Sequence, residues 1–242
     1  MSEAWEALAG FTPARVALGR AGNGLPTRRV LEFQLAHARA RDAVLAPFDA
    51  AAVARALAPC PAVLLETRAR DRAAYLMDPD LGRTLAERSR AALTPGRYDA
   101  VLVIADGLSA TAIQAHGAAL AERIFARAPA VWAPVAVVTN GRVAVGDAIA
   151  QALGAQFAVV MIGERPGLSA ADSVGLYLTH WPVAGVSKDA DRNCISNVRP
   201  GGLPLDEAAY RLAWLMAQAR RLGATGVALK EDAPESLSGD SA

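Results

Sequence analysis

From residue 99 onward, short runs that are apolar throughout alternate with longer segments of helical periodicity. The apolar runs are DAVLVIA (99–105), PVAVVT (134–139) and QFAVVMI (156–162). Between them lie SATAIQAHGAALAERIFARA (109–128) and VGDAIAQAL (145–153), both with the spacing of helices. Strands without polar alternation are covered on both faces, and strands separated by helices pair in parallel. The pattern therefore predicts a Rossmann-like, mostly parallel sheet covered by helices.

Toward the C-terminus the same pattern predicts one more helix and one more strand. The helix is LDEAAYRLAWLMAQARRL (205–222), and the strand is TGVALK (225–230). DRNCISNVRPGG (191–202) is rich in polar and turn-forming residues and is expected to be an irregular segment. The last residues, 233–242, are polar and are predicted to form a flexible tail.

The first 95 residues read mainly as helix and are expected to form a separate N-terminal domain, followed by an α/β domain over 96–232. Thr12-Pro13 has the form of a helix start, since proline is tolerated at the first helical position. Further helices are predicted from Thr27 to Pro47, over about 50–58 and near 81–93, with a short strand, AVLLET, at 62–67.

The helix after Thr27 carries both apolar residues and a concentration of arginine. Its apolar positions fall near one face: Val30, Leu31, Phe33, Leu35, Ala38, Val44 and Leu45. The other side carries Arg28, Arg29, Arg39 and Arg41, which fit either an ordinary solvated face or an interface with an acidic partner. Residues 1–98 contain 14 arginines and no lysine against 10 acidic residues, a net charge of +4. That excess is too small for a nucleic-acid-binding surface, so no nucleic-acid partner is expected.

Composition limits the other classes of function. The two cysteines, Cys60 and Cys194, form no CxxC pair, which argues against a disulfide framework and favours a reducing cytoplasm. His37, His116 and His180 lie far apart in sequence without metal-binding spacing, so no metal site is predicted. The N-terminus lacks a secretory signal, and no apolar stretch is long enough to span a membrane.

The loops that follow the predicted strands are the candidate ligand site, because ligands of open parallel sheets lie beyond the carboxyl ends of the strands. These loops are ADGLS (105–109), NGRV (140–143) and GERPGL (163–168), and we refer to them together as the rim. DRNCISNVRPGG is expected to return to the same edge. Ser109 is placed to cap the following helix, and Asp106 to brace the rim.

The rim matches no phosphate-binding motif, since GERPGL is neither GxGxxG nor GxxxxGK[ST]. Glu164 could accept hydrogen bonds from a ligand rich in amides, or could pair with Arg165 to hold the loop. Arg142 follows a glycine that permits close approach of a ligand, although NG is also a common turn.

Cys194 has no histidine nearby in sequence to activate it, so it is a packing thiol or an apolar surface against a flat cofactor. His180 is expected to be structural.

Taken together, six segments resemble the small subunit of adenosylcobalamin-dependent ethanolamine ammonia-lyase. They are RAGNGLPTRRVLEFQLAHARARDAV, DPDLGR, IADGLSATAI, NGRVAVGD, IGERPGLSAADS and DRNCISNVRPGG, and the resemblance covers roughly residues 15–230. It implies a large partner subunit, built as a TIM-type barrel, that binds ethanolamine and carries the radical chemistry. The small subunit closes over the cobalamin, the reaction yields acetaldehyde and ammonia, and the assembly is a multimer of heterodimers.

The resemblance also carries over residue roles. The family's cobalamin contacts fall on Val143, Glu164 and Cys194, with Arg142 beside the cofactor, and no catalytic or metal-binding residue is implied for this chain. The DxHxxG motif that supplies histidine to cobalt is absent, since His116 is followed directly by glycine. The cofactor is therefore expected base-on, with its own dimethylbenzimidazole as ligand.

The resemblance bears on location and partner surface as well. The recognisable domain begins within about fifteen residues of Met1, without the longer leader of microcompartment relatives. The protein is expected to be located in the cytoplasm, and a bacterial microcompartment is the less favoured location. The basic N-terminal helix is the expected surface for the large subunit.

Two other functions remain open from the residues alone. One is a stand-alone cofactor- or nucleotide-binding module without catalysis. The other is a hydrolase, which the missing GxSxG motif disfavours.

Overall fold

A six-stranded sheet forms the centre of the structure, a computed structural model that describes residues 3–12 and 14–234. The strand order is β1-β3-β2-β4-β5-β6, with β1 to β4 mutually parallel and β5 antiparallel to both of its neighbours. The strands are β1 (Ala62–Glu66), β2 (Ala100–Ala105), β3 (Val135–Thr139), β4 (Phe157–Gly163), β5 (Val174–His180) and β6 (Asn193–Val198). The prediction of an α/β fold with a mostly parallel sheet is confirmed.

Helices cover both faces of the sheet. The described residues form α1 (Glu3–Ala9), α2 (Thr27–Leu45), α3 (Ala50–Ala56), α4 (Arg72–Met77), α5 (Pro79–Arg83), α6 (Glu87–Ala91), α7 (Ala110–Arg127), α8 (Val145–Leu153) and α9 (Leu205–Leu222). One apolar core lies between the sheet and α3, α7 and α9, and a second lies between the sheet and α8. The central strands are buried on both faces, which explains why they lack polar alternation.

The path of the chain through the middle of the sheet creates a crevice at one edge. From β2 the chain passes through α7 to β3 on one side, and then through α8 past β2 to β4 on the other side. Since α7 and α8 lie on opposite faces, the loops after β2, β3 and β4 separate at the carboxyl ends of the strands. The rim therefore lies where the sequence predicts it.

Two predicted elements are absent from the described residues, and positive backbone φ angles explain both. No helix follows Thr12, because Ala17 and Gly19 have φ angles of 56° and 77°, and Pro13 lies outside the described residues. The predicted strand at 225–230 is a 3₁₀ turn over Gly226–Ala228, with Gly226 at φ 75°.

The predicted helix near 81–93 is divided into α5 and α6. The residues between them pair with the end of β1, since Arg68 N donates to Thr84 O and Ala86 N donates to Glu66 O. An extended pairing of this kind cannot continue the helical hydrogen-bond pattern, so the helix stops and restarts.

The segment 191–202 is more regular than predicted. Residues Asn193–Val198 form β6, which pairs with β5, a strand that the pattern of apolar residues did not predict. Two antiparallel strands thus extend the parallel sheet beyond β4, and they bring Cys194 opposite Tyr177.

The N-terminal region is mainly helical, yet β1 from this region pairs with β3 in the central sheet. The division at 95/96 into two domains stays a prediction. Helix α2 runs over Thr27–Leu45 as predicted, but Ala43 is its one buried residue. Its apolar side chains therefore contribute little to the core.

Candidate functional site

A cavity of about 420 Å³ opens at the carboxyl edge of the parallel strands. Each rim loop contributes to it, together with two tyrosines from outside the rim. The lining residues are Gly107 and Leu108 after β2, Arg142 and Val143 after β3, Ile162, Gly163, Glu164 and Arg165 at β4, and Tyr75 and Tyr177. Carboxylate, guanidinium and apolar groups thus line one cavity.

Asp106 holds two rim loops and the N-terminal helices together. Its carboxylate accepts a hydrogen bond from Gly141 N at 3.1 Å and pairs with Arg72 Nη1 at 3.2 Å. Arg72 also donates to Gly107 O at 2.7 Å and, through Nε, to Val44 O at 2.7 Å at the end of α2. The predicted bracing role of Asp106 fits this geometry. Burial raises the pKa of Asp106 to about 6, while Arg72 and backbone amides oppose the rise.

The raised pKa makes stability depend on pH in a defined direction. The folded protein keeps the Asp106 proton to higher pH than the unfolded chain, so this residue stabilises the fold less as pH rises from about 4 to 6. The change is on the order of 3 kcal/mol in the free energy of unfolding. We expect Asp106→Asn to gain stability relative to the unmodified protein over this interval, measured by urea unfolding at several pH values. Parallel pH profiles for the two proteins would contradict the assignment.

Arg142 is held in place by Tyr75. The guanidinium carbon of Arg142 lies 4.2 Å from the centre of the Tyr75 ring, and Nη2 donates to Tyr75 O at 3.3 Å. The backbone N–H of Arg142 donates to Gly82 O at 2.8 Å. Arg142 Nε, however, is buried without a hydrogen-bond partner among the described residues. A buried donor without a partner is uncommon in folded proteins, and here it belongs to a residue that lines the cavity.

The backbone of the loop after β2 lies in close contact with the backbone at the end of β4. Gly107 has a φ angle of 55°, and Leu108 N donates to Gly163 O at 2.9 Å. A Cβ on Gly163 would overlap the Ser109 carbonyl group. Ser109 accepts from Ala112 N at 3.2 Å, as an N-cap of α7 does, which agrees with its predicted role.

Glu164 connects the rim to β6 and makes no ion pair with Arg165 among the described residues. One carboxylate oxygen accepts from Asn197 N at 3.0 Å, and the backbone N–H of Glu164 donates to Ser173 O at 3.0 Å. The alternative in which Glu164 merely pairs with Arg165 therefore has no support in the geometry. A carboxylate has about four acceptor positions, so Glu164 retains capacity for a ligand.

Cys194 lies beside this site, next to the cavity-lining Tyr177. The two residues lie directly opposite each other on β5 and β6. Desolvation raises the pKa of the Cys194 thiol, the neighbouring Tyr177 hydroxyl opposes this rise, and the Glu164 charge adds to it. A raised pKa keeps the sulfur as a thiol, which argues against a nucleophile.

The structure brings the sequence-predicted residues to one region. Val143, Arg142 and Glu164 line the same cavity, and Cys194 adjoins it through Tyr177. Sequence reasoning missed Tyr75, Tyr177 and Arg72. Tyr177 is the one aromatic residue in the otherwise apolar VGLYL run, but that run was not recognised as a strand; nothing in RARDRAAY indicated the contacts of Tyr75 and Arg72.

The histidines lie away from the cavity. His180 stacks on Phe157 at 4.6 Å, at the opposite end of β4 from the rim, and burial lowers its pKa. His116 on α7 lies 3.2 Å from the Asp172 carboxylate. Among residues 3–12 and 14–234, no group of three or more potential metal ligands clusters. No helix in those ranges is long and apolar enough to cross a membrane.

A second cavity, of about 630 Å³, lies beside α8 and contains a buried ion pair. Arg192 donates to both carboxylate oxygens of Asp147 at 2.7 Å and to Thr179 Oγ1 at 2.8 Å. Asp147 is in the first turn of α8, close after Val143. The pair therefore fixes the start of α8 and with it the loop that carries Val143.

The doubly wound sheet, with an open polar cavity at its carboxyl edge, places the chain among Rossmann-like proteins. The family model described as "Ethanolamine ammonia-lyase light chain (EutC)" matches residues 2–230. The chain belongs to this family and is thus a subunit of a lyase complex.

Relatives described as the small subunit of ethanolamine ammonia-lyase match nearly the whole chain. The "Ethanolamine ammonia-lyase small subunit" of Ralstonia nicotianae is 52% identical over 241 residues, 95% of this chain and 88% of the relative. The protein of that name from Pseudomonas fluorescens is 50% identical over 240 residues, covering 95% and 87%. The one from Azotobacter vinelandii is 49% identical over 240 residues, covering 95% and 88%.

Proposed function

We propose that this chain is the small subunit of an ethanolamine ammonia-lyase and supplies one side of an adenosylcobalamin site. The large subunit binds ethanolamine, and the complex releases acetaldehyde and ammonia. The observation that carries this proposal is the convergence of Val143, Arg142 and Glu164 on one open cavity, with Cys194 adjoining it. Family membership supports the reaction, and the geometry supports the site.

The chemistry of the cavity fits the corrin ring and its amide side chains. These amides contain both donors and acceptors, and the cavity offers the Glu164 carboxylate as acceptor and the Arg142 guanidinium as donor. Tyr177 and Val143 add apolar surface. At about 420 Å³ the cavity is too small to enclose a corrin, so a second protein surface must complete the site.

Each residue has a distinct role in this proposal. Val143 contacts the cofactor through its backbone, Glu164 accepts hydrogen bonds from corrin amides, and Cys194 packs against the ring edge as a neutral thiol. Tyr177, directly opposite Cys194 on the neighbouring strand, positions Cys194 beside the cavity. When bound, adenosylcobalamin supplies the radical through homolysis of its cobalt–carbon bond. The residues of this chain bind and orient the cofactor and take no part in proton transfer.

The cofactor is proposed to remain base-on, with no histidine of this chain on cobalt. His180 stacks on Phe157 at the far end of β4, and His116 pairs with Asp172, so neither lines the cavity. We further propose a multimer of heterodimers in the cytoplasm, where the two free cysteines stay reduced, or alternatively inside a microcompartment.

Replacement of Glu164 tests the proposed site. In a complex reconstituted with the cognate large subunit, Glu164→Ala should weaken cobalamin binding about 10- to 100-fold, since hydrogen bonds to a charged group contribute about 1.5–3 kcal/mol. The heterodimer should still form. Cofactor affinity is measured by spectroscopic titration, and assembly by size-exclusion chromatography with light scattering.

The matched control is Glu122→Ala, which removes an exposed glutamate of α7 that does not line the cavity. It should leave the affinity for cobalamin unchanged. Unaltered affinity in Glu164→Ala, or separation of its subunits, would refute the proposed contact and make Glu164 a structural residue.

A further inference from the structure

Helix α2 presents an apolar stripe to solvent. Leu31, Leu35 and Leu45 are 59%, 53% and 58% exposed, and with Ala38 they recur at intervals of four, three and seven residues. At 100° per residue these four positions fall within about 80° of one another on the helix surface, and the exposed Asp42 lies in the same sector between Ala38, which is half-buried, and Leu45. We call the four apolar positions the α2 stripe. Leu31 and Leu35, one turn apart and both more than half exposed, form the apolar centre of the stripe, and exposed apolar surface of this kind on a folded chain marks an interaction site.

The body of the protein does little to hold α2. Its inner side is mostly alanine, with Ala43 the one fully buried residue, and no side chain caps its N-terminus. A helix of 19 residues gains most of its stability from packing an apolar face rather than from propensity. The three leucines of the stripe, which could supply this packing, are each more than half exposed.

Arginine borders the stripe on both sides. Arg28 and Arg39 lie about 60–80° to one side of Leu31 around the helix, and Arg41 lies about 80° to the other. Glu32 is shared by Arg28 and Arg29, whereas Arg39 has no ion-pair partner among the described residues. The helix carries four arginines against two acidic residues. The arrangement fits a groove that is apolar along its floor and acidic along its edges.

The C-terminal end of α2 is attached to the candidate cofactor site. Arg72 Nε donates to Val44 O at 2.7 Å, and the same guanidinium pairs with Asp106 and donates to Gly107 O. The cavity must be completed by the large subunit, because it cannot enclose a corrin alone. Because Arg72 joins the end of α2 to the rim of this cavity, the surface of α2 is continuous with the interface that the large subunit would form there.

We propose that the α2 stripe docks into an apolar, acid-edged groove of the large subunit and anchors the heterodimer. This inference rests on the proposed function, since it takes the large subunit as partner. A second copy of this chain fits less well, because pairing two α2 helices would bring two arginine-rich borders together and like charges repel.

Substitution on the stripe tests the proposal in the full-length complex. Leu31→Ser/Leu35→Ser should weaken binding to the cognate large subunit at least about 10-fold, since apolar anchors dominate interface energy. The control is Leu222→Ser/Val227→Ser, which removes two exposed apolar side chains near the His180 end of β5. It should bind the large subunit as the unmodified protein does. Dissociation constants come from biolayer interferometry, and circular dichroism checks that the free variants are folded.

A charge variant provides a second test that does not depend on the leucines. Arg39→Glu/Arg41→Glu should lower the association rate with the large subunit and reduce its dependence on salt. Full-affinity binding by both variants would overturn the proposal while leaving the cofactor site intact. A dimer of the isolated small subunit that Leu31→Ser/Leu35→Ser disrupts, with large-subunit binding unchanged, would assign the stripe to a second copy and also overturn it. Failure of the unmodified chain to bind the large subunit would instead refute the proposed function.

Discussion

Gly163→Ala is expected to destabilise the protein by about 3 kcal/mol or more. A Cβ on Gly163 would overlap the Ser109 carbonyl oxygen and lie 2.5 Å from the Asp106 carbonyl oxygen. These are backbone atoms of the loop after β2, so relief requires this loop and the end of β4 to separate. That movement would displace Glu164 and weaken cofactor binding as well. The measurement is thermal unfolding, with an expected fall in Tm of about 6–12 °C.

Gly167→Ala is the matched control, because the two glycines belong to the same GERPG segment. A Cβ on Gly167 would lie no closer than 3.8 Å to Ala170, an ordinary contact, and its backbone has no positive φ. We expect it to leave stability unchanged or to raise it by about 0.4–1 kcal/mol through loss of unfolded-state entropy. Equal effects of the two substitutions would show that close approach at Gly163 does not constrain the rim.

Arg192→Met is expected to destabilise the protein by about 3–5 kcal/mol, because it leaves the Asp147 carboxylate buried without its partner. The Arg192 and Asp147 side chains are 2% and 1% exposed, so Asp147 depends on Arg192 rather than on bulk solvent to satisfy its charge. Asp147 lies in the first turn of α8, and we expect the loop with Val143 to loosen and cofactor affinity to fall. Urea unfolding of the isolated chain measures the stability change, and cobalamin titration of the complex measures the affinity.

The double variant Asp147→Leu/Arg192→Met separates charge from packing. Replacing both ions with apolar groups of similar size removes the unpaired charge, so most of the lost stability should return. If Arg192→Met alone is as stable as the unmodified protein, the ion pair does not stabilise the fold. If the double variant is no better than the single one, packing around Arg192 rather than charge is responsible.

Much of the candidate site could be predicted from sequence because its loops follow recognisable parallel strands. The rule that ligands lie at the carboxyl ends of such strands selected NGRV and GERPGL before any contact was known. The resemblance then named Val143, Glu164 and Cys194. Tyr177 was missed because it lies on β5, whose pairing with β4 and β6 depends on residues distant in sequence.

The bracing of the rim was only half predictable. Asp106 was expected to hold the rim, from its place at a strand end, but its partner Arg72 is 34 residues earlier in the chain. No local pattern links the two, because a hydrogen bond across that separation exists only once α4 packs beside the rim. The contact between Tyr75 and Arg142 likewise joins residues that are distant in sequence, and it also forms only when α4 packs beside the rim.

By itself, the sequence determined the α/β class, the main helices and strands of the sheet, the Ser109 cap and the family. These features follow from apolar periodicity, from capping chemistry between neighbouring residues and from contiguous motifs, all of which are local. Tertiary structure alone decided that β5 and β6 extend the sheet, that Arg72 ties α2 to the rim and that the α2 stripe faces solvent. The reason is physical: periodicity reveals that a helix has an apolar face, but only packing decides which face the rest of the chain covers.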